Sequence, residues 1–505
     1  MKKVMKYDFI IIGGGMSGLS CAYILAKEGK KVIVLEKNSQ LGGGLQIFSR
    51  DKTMFETGVH YVGGLSEGQT LNQLFKYLGL MDKIKIKQMD KEGFDKIHFG
   101  NEKKYYSLGQ GYDTFIKNLI VDFPHQEKEI NEYCKKIKDV CSEFPLYNLE
   151  DQTTYPVSTN EMEGVSEVIE TIISDERLQN VLAAQNILYA GKKDVTPFYV
   201  HAIIVNSYIE SAWRFVNGSS QVARILATSI KSMGGKVLKN TEVVAATIID
   251  RKVNTVELED GTLLEVENII SSLHPLETIK IFGEENFKKI YTNRINKIKN
   301  SISSFGVNIC FKKDTFPYLN HNIYHFEGGV WDADVYTQEN WPKGLFLCFH
   351  PLKNNSKFTD GCSVLTYMHY DDVKKWEKTF STHFKKNDRE ENYEVFKKEY
   401  EEKVIISLEK MYPKIRSCIK SVHSSTPLTL RDYNATPFGT LYGFQKDKNN
   451  PLRTYIHTKT SVKNLYLTGQ SVNLHGVLGV TISALLTCFN FIDSKKLMHE
   501  IKEAK

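Results

Sequence analysis

Six residues near the start of the chain, Gly13-Gly14-Gly15-Met16-Ser17-Gly18, spell G-x-G-x-x-G. The chemistry that spacing allows is the holding of a pyrophosphate. A glycine at 13 permits a tight turn, and a glycine at 15 lets backbone approach the phosphates with no Cβ in the way. Gly18 lets a helix lie closely on a strand, and the helix start turns free N–H groups toward the negative charge. Glu36 follows twenty-three residues after Gly13. A carboxylate there accepts hydrogen bonds from both hydroxyls of an adenosine ribose and repels a 2′-phosphate. The glycines alone are a weak signal, so the elements around them decide.

Those elements are a βαβ unit. Phe9 to Ile12 is an unbroken apolar run, the pattern of a strand buried on both faces. Ser17 to Lys27 carries Leu19, Ala22, Tyr23 and Ala26 at helical spacing, Gly29 is a helix stop, and Lys31 to Leu35 is the next strand, ending at Glu36. Six residues on, Gly42-Gly43-Gly44 makes a second place for close backbone approach. No second fingerprint occurs for a separate nicotinamide domain. A long, resident dinucleotide served by two glycine turns points to FAD. In the tail, Asn464 to Gly469 reads as a strand ending in glycine, and Gly476-Val477-Leu478-Gly479 opens a helix that can face the flavin pyrimidine.

The chain of 505 residues suits two to four structural units. A hydrophobic fraction of 41% and a charged fraction of 25% exclude a disordered chain, a fibrous repeat and a polytopic membrane protein. A net charge of +6 does not argue for nucleic acid. The eight cysteines include no C-x-x-C pair, so sequence spacing predicts no metal site and a reducing, cytoplasmic setting. The apolar run at Phe9–Ile12 enters glycines and is no export signal, and Gly476 to Ile492 reads as a core helix.

Between about 100 and 205 the chain turns polar and helical. From Gly218 it regains α/β character, with a helix through Val222 to Ile230 and strands at Val237, Val243–Ile249, Val253–Leu258 and Leu263–Val266, the last two joined by the hairpin signal Asp260-Gly261. Asp372 to Met411 reads as a solvated amphipathic helical region. The pattern is an α/β domain assembled from 1–100, 206–280 and 426–505, with insertions 101–205 and 281–425 forming a mixed α+β substrate domain.

The strings IIIGGGMSGLSCAYILAKEG, VIVLEKNSQLGGG, FETGVHYVGG, STPLTLRDYNATPFGTLYGF and NLYLTGQSVNLHGVLGVTISA resemble the phytoene desaturase, carotenoid isomerase and retinol saturase branch of FAD-dependent oxidoreductases. The third and fourth lie nearer retinol saturases than ordinary desaturases. The resemblance implies a Rossmann-like FAD domain of the glutathione-reductase-2 type. It places Gly13, Gly15, Ser17 and Gly18 at the pyrophosphate, Glu36 at the ribose, and Gly42, Gly43 and Gly44 along the diphosphate and ribityl chain. Val243 would meet the adenine through its backbone, Gly58 would lie under the flavin, and Gly469, Gly476 and Val477 would close over the ribityl and ring. Many relatives carry an arginine after the glycine pair, where this chain has Gly44.

The same resemblance puts Glu56, His60 and Tyr61 beside the isoalloxazine as candidate catalytic residues. Adding two hydrogens across a C=C bond needs a hydride and a proton, and any of the three could give the proton. An extended segment points only one of His60 and Tyr61 at the substrate, and the ordinary histidine pKa of about 6.5 favours His60. Arg431 and Asp432 are expected to form a buried ion pair with Tyr433 beside them, and His475 to lie near the flavin edge. The implied partner is an apolar polyene or isoprenoid, reached by peripheral contact with the cytoplasmic face of a membrane. Direction depends on an electron donor or acceptor that no motif identifies. A flavin amine oxidase and a prenyl-chain-binding protein of the GDP-dissociation-inhibitor type are the alternatives.

Overall fold

A computed structural model of the protein describes residues 6–151, 162–351, 356–382 and 389–505. Residues 383–388 of the expected amphipathic region and 152–161 of the first insertion lie outside these.

One sheet is the nucleotide-binding sheet that the sequence calls for. Strand Lys6–Ile12 pairs in parallel with Val32–Leu35 on one side and with Leu263–Ser271 on the other. Lys236–Leu238 extends the first side and Leu465–Leu467 the second, both parallel. Val243–Ile249, Lys252–Leu258 and the start of Leu263–Ser271 form an antiparallel meander at one edge. Helices Met16–Lys27, Ser220–Ser232 and Gly476–Cys488 bury apolar faces on this layer. The strand expected to end at Val266 runs to Ser271. Glu267 interrupts its apolar pattern, but Ile269 and Ile270 are fully buried between two parallel neighbours, and that burial extends the strand.

A second sheet carries the insertions. Its order is Ile419–Ser425, Ser303–Phe311, Gly361–Met368, Gly344–Phe349, Asn322–Phe326, Asp95–Phe99 and Tyr106–Leu108. The strand Asp95–Phe99 thus belongs to this sheet although it lies within the 1–100 stretch assigned to the nucleotide domain. Its Phe99 and Ile97 side chains pack on the apolar core of the insertion helices. Helices Tyr112–Asp122, Glu127–Ser142, Val165–Ile172, Glu176–Ala183 and Phe198–Glu210 cover one face. Helix Glu391–Met411 covers the other and buries Tyr393, Phe396, Tyr400, Val404 and Leu408, a row at three- and four-residue spacing. Val395 stands on its wet side, 51% exposed.

The two layers are stitched where the chain crosses between them. Val62–Gly63 and Ile86–Gln88 flank Ala212–Phe215 in a short three-stranded sheet. Gly63 has no room for a side chain there, since a Cβ would stand 2.5 Å from the Ser207 carbonyl carbon. No described helix is long and apolar enough to cross a membrane.

Candidate flavin site

The first glycine turn is held closed from two directions. Gly13 adopts φ +98°, and a Cβ on it would lie 2.3 Å from Ser272 Oγ. Gly18 lies with its Cα against the Gly13 carbonyl, where a Cβ would stand at 2.2 Å. Ser272 donates to the carbonyls of Ile12 and Gly13 at 3.0 and 3.2 Å. That serine follows the strand extension the sequence reading stopped short of, so nothing flagged it. Gly15 differs from its neighbours, because a Cβ there would meet nothing within 4 Å.

The second turn lies beside the first. Gly42 N donates to Gly14 O at 2.8 Å, and the Gly43 Cβ position stands 3.4 Å from Gly15 Cα. Gly44 is open on its outer side, and the Gly58 Cβ position lies 3.1 Å from Gly44 O. Gly15, Gly43, Gly44 and Gly58 therefore form one continuous strip of bare backbone leading to His60. Gly469 closes from the tail, its N–H donating to Ser483 Oγ at 2.9 Å and its Cβ position 3.4 Å from Ser272 O. Gly476, at φ +74° and with open space beside it, starts the helix whose second residue is Val477.

Glu36 is buried, and its carboxylate accepts from Gly14 N and Asn38 N, each at 2.8 Å. Burial raises its pKa while these two amides lower it. Two amides leave lone pairs on both oxygens for ribose hydroxyls. Val243 begins its strand two residues after Thr241, whose N–H donates to Glu36 O at 2.9 Å, so the structure brings it to the same end of the site. Ser17 is turned the other way. Its hydroxyl bonds Thr468 Oγ1 at 2.5 Å, locking the first helix to the tail and leaving its backbone N–H for an anion.

The helix Pro427–Asn434 bridges this end to the second sheet. Arg431 and Asp432 form the expected ion pair, and Arg389 joins it on the fully buried carboxylate. The backbone behind the pair receives Lys37 Nζ at Asp432 O and Asn38 Nδ2 at Tyr433 O, both at 2.9 Å.

At the other end the candidate catalytic residues separate into three environments. Both Glu56 oxygens are taken by Ser219, through its N–H at 2.9 Å and its hydroxyl at 2.5 Å. Burial lifts that carboxyl to about 7. Glu56 thus braces the start of helix Ser220–Ser232. Tyr61 is buried and donates to Asp95 Oδ2 at 2.9 Å, with Tyr324 Oη 2.6 Å away. Asp95 also accepts from Gln185 and Asn322 at 2.8 Å each, and Arg214 reaches the same Asn322 at 2.8 Å. Burial outweighs these bonds and lifts the Asp95 carboxyl to about 6. Asp95, Tyr324 and Arg214 come from distant stretches with no motif, which is why sequence reading missed them.

His60 is the exception: neither ring nitrogen has a partner, and both are shielded from solvent. Phe346 packs beside it with ring centroids 5.8 Å apart. Burial, with the Arg214 charge, pushes its pKa down to about 4. This corrects the premise that His60 titrates near 6.5, because the buried ring is neutral at pH 7. His475 stands at the N-terminal cap position of the tail helix, bonds Leu188 O at 3.0 Å and lies tilted beside the Tyr442 ring.

The residues fit FAD on two counts: a strip of glycine backbone on which the missing Cβ atoms of Gly15 and Gly44 leave open space, and an imidazole at its end with both nitrogens unpartnered. The model of flavin containing amine oxidoreductases matches residues 16–488. The chain is 26% identical to the all-trans-retinol 13,14-reductase of Macaca fascicularis, over 99% of this chain and 87% of that one. It is 23% identical to a chloroplastic prolycopene isomerase of an Oncidium hybrid cultivar, over 96% of this chain and 84% of that one. A solved putrescine oxidase with bound putrescine aligns at TM-score 0.65 and 13% identity, covering 98% of this chain and 99% of its own. With the family matched across both sheets and the glycine strip in place, the protein is an FAD-dependent oxidoreductase belonging to the flavin-containing amine oxidoreductase family.

Proposed function

We propose that the protein acts on carbon–carbon bonds of a long apolar polyene or isoprenoid, as a saturase, desaturase or isomerase. The observation that carries this is similarity over almost the whole chain to a retinol reductase and a prolycopene isomerase, both of which handle elongated conjugated molecules. The surroundings of His60 support an apolar ligand. They include the ring of Phe346, itself packed against Tyr61 and Tyr324, and the Asp95 carboxylate beside Tyr61 already receives three hydrogen bonds. An amine would gain little there, and a prenyl-binding protein without flavin would have no use for the glycine strip.

Bound FAD would supply a two-electron hydride donor or acceptor at its ring system. Gly13, Gly15, Gly18 and the Ser17 N–H would hold the pyrophosphate, Glu36 the ribose and the Val243 backbone the adenine. Gly42, Gly43, Gly44 and Gly58 would admit the rest of the cofactor from one side, with Gly469, Gly476 and Val477 on the other. His60 would face the reacting carbons as a neutral imidazole, moving a proton through its ring nitrogens on demand. Tyr61, fixed by Asp95 and Tyr324, would orient the segment and not itself donate.

Single-turnover reoxidation of reduced enzyme by a polyene tests this. His60→Ala is expected to slow it ~10²-fold with flavin retained, and Tyr61→Phe by less than ~10-fold. A His60→Ala enzyme that reoxidises at the wild-type rate removes His60 from the chemistry. Efficient turnover of a small hydrophilic amine overturns the substrate class. We further propose that the substrate is taken from a membrane surface, so part of the protein should sediment with liposomes; complete recovery in the supernatant argues against it.

A further inference from the structure

At the tip of the hairpin that follows Gly42–Gly44, three side chains of metal-ligand type meet that lie more than a hundred residues apart in sequence. In the antiparallel pair of Ser303–Phe311 with Ile419–Ser425, Cys310 stands opposite Ser421 and Asn308 opposite His423. Residues two apart on a strand share a face, and directly opposed residues point the same way. Cys310, Ser421 and His423 therefore stand on one face of the second sheet. The hairpin Ile47–Arg50 and Thr53–Glu56 lays its tip over that face. Its two turn residues, Asp51 and Lys52, both take positive φ, at 48° and 71°. This turn normally selects Asn-Gly, so two ordinary residues hold it at a cost.

The tip brings Asp51 Oδ2 to 3.5 Å from His423 Nε2, and Ser421 donates its hydroxyl to the same carboxylate. Cys310 is fully buried and its thiol reaches Arg50 O at 3.4 Å. One ligand atom from each of Asp51, Cys310 and His423 lies within 4.8 Å of the other two. Tetrahedral zinc, with bonds of about 2.0–2.3 Å, sets its ligands roughly 3.3–3.8 Å apart. Side-chain rotation closes that difference, and water or the Ser421 hydroxyl completes the fourth position.

We propose that Asp51, Cys310 and His423 form a zinc site that clips the hairpin to the edge of the second sheet. A thiolate, an imidazole and a carboxylate together select zinc over calcium or magnesium, which prefer oxygen alone. Binding displaces the Cys310 thiol proton to solvent, leaving a thiolate and a carboxylate to balance the two charges of the ion. The Lys420 charge near Asp51 opposes the ion. The clip would hold a hairpin that begins just after Gly42–Gly44 and ends at Glu56, thus one flank of the flavin strip. No pair of these ligands is close in sequence, which is why cysteine spacing alone predicts no metal.

The test is equilibrium dialysis of the tag-free holoenzyme against zinc, followed by metal analysis and thermal melting. The expected result is one zinc per chain and a raised melting midpoint for the wild type. Cys310→Ser and His423→Ala should each weaken zinc binding at least tenfold, with their flavin content and zinc-free melting retained. Should either variant fold poorly, Asp51→Asn on the exposed hairpin tip gives the same reading. Wild-type protein that binds no zinc, or variants that bind it as tightly as the wild type, overturns the site.

Discussion

Around Gly13–Gly18 the site is made of backbone drawn from one short stretch. Next to His60, around Tyr61, it is made of side chains drawn from Asp95, Gln185, Asn322 and Tyr324. The first region works by what is missing, absent Cβ atoms that at Gly13, Gly14 and Gly18 would strike neighbouring atoms and at Gly15 leave open space. The second works by what is satisfied, a fully buried carboxylate with three donors. Backbone sites therefore tolerate no added atom, whereas side-chain networks tolerate no lost partner.

The sharpest way to break the comparison is at Gly15. Its Cβ position meets no protein atom, so Gly15→Val should fold normally and yet lose essentially all flavin absorbance. Gly18→Val, whose Cβ would collide with the Gly13 carbonyl, should instead fail to fold. If Gly15→Val purifies with full flavin, the strip is not the cofactor cradle. In the side-chain region, Asp95→Ala leaves the Gln185 and Asn322 donors without this acceptor and Tyr61 with Tyr324 alone. A loss of about 3 kcal/mol in denaturant unfolding is expected there, with flavin still bound.

Acid separates the regions next. His60, His274 and His475 are pushed to about 4, and His201, His321 and His350 to about 3, each by burial. The unfolded chain takes up these protons near 6.5 and the folded chain does not, so stability is lost as pH falls from about 6.5 toward 4. Glu56 and Asp95 work the other way, since the folded state keeps their protons up to about 7 and 6. Six imidazoles outweigh two carboxyls, so the melting midpoint should drop steadily below pH 6.5. A midpoint that is flat or rising on acidification contradicts this burial pattern. The smallest effect belongs to Glu36→Gln, which removes one charged acceptor from a site otherwise built of backbone. Flavin affinity should fall roughly tenfold by fluorescence titration.

Much of the nucleotide-binding sheet was legible because its information is local. A four-residue apolar strand, a fixed glycine spacing and a carboxylate closing the next strand each follow from steric or solvation rules that act within a few residues. Even the tail could be read, from Gly469 and Gly476, since a glycine at a strand end or helix start signals backbone where a side chain cannot go. The strand end at Ser271 was not legible, because only two parallel neighbours make the interruption at Glu267 affordable.

By itself the sequence determined that an FAD-type cradle exists and that His60 and Tyr61 stand next to each other. Only the tertiary structure decided what surrounds each. It gave Tyr61 to Asp95 and Tyr324, gave Glu56 to Ser219, and left His60 alone with unpartnered nitrogens. It also gathered Asp51, Cys310 and His423 on one sheet face. The physical reason is range: steric rules for glycine and strand act on neighbours in sequence, whereas desolvation and hydrogen-bond pairing depend on whichever distant residues the fold packs together.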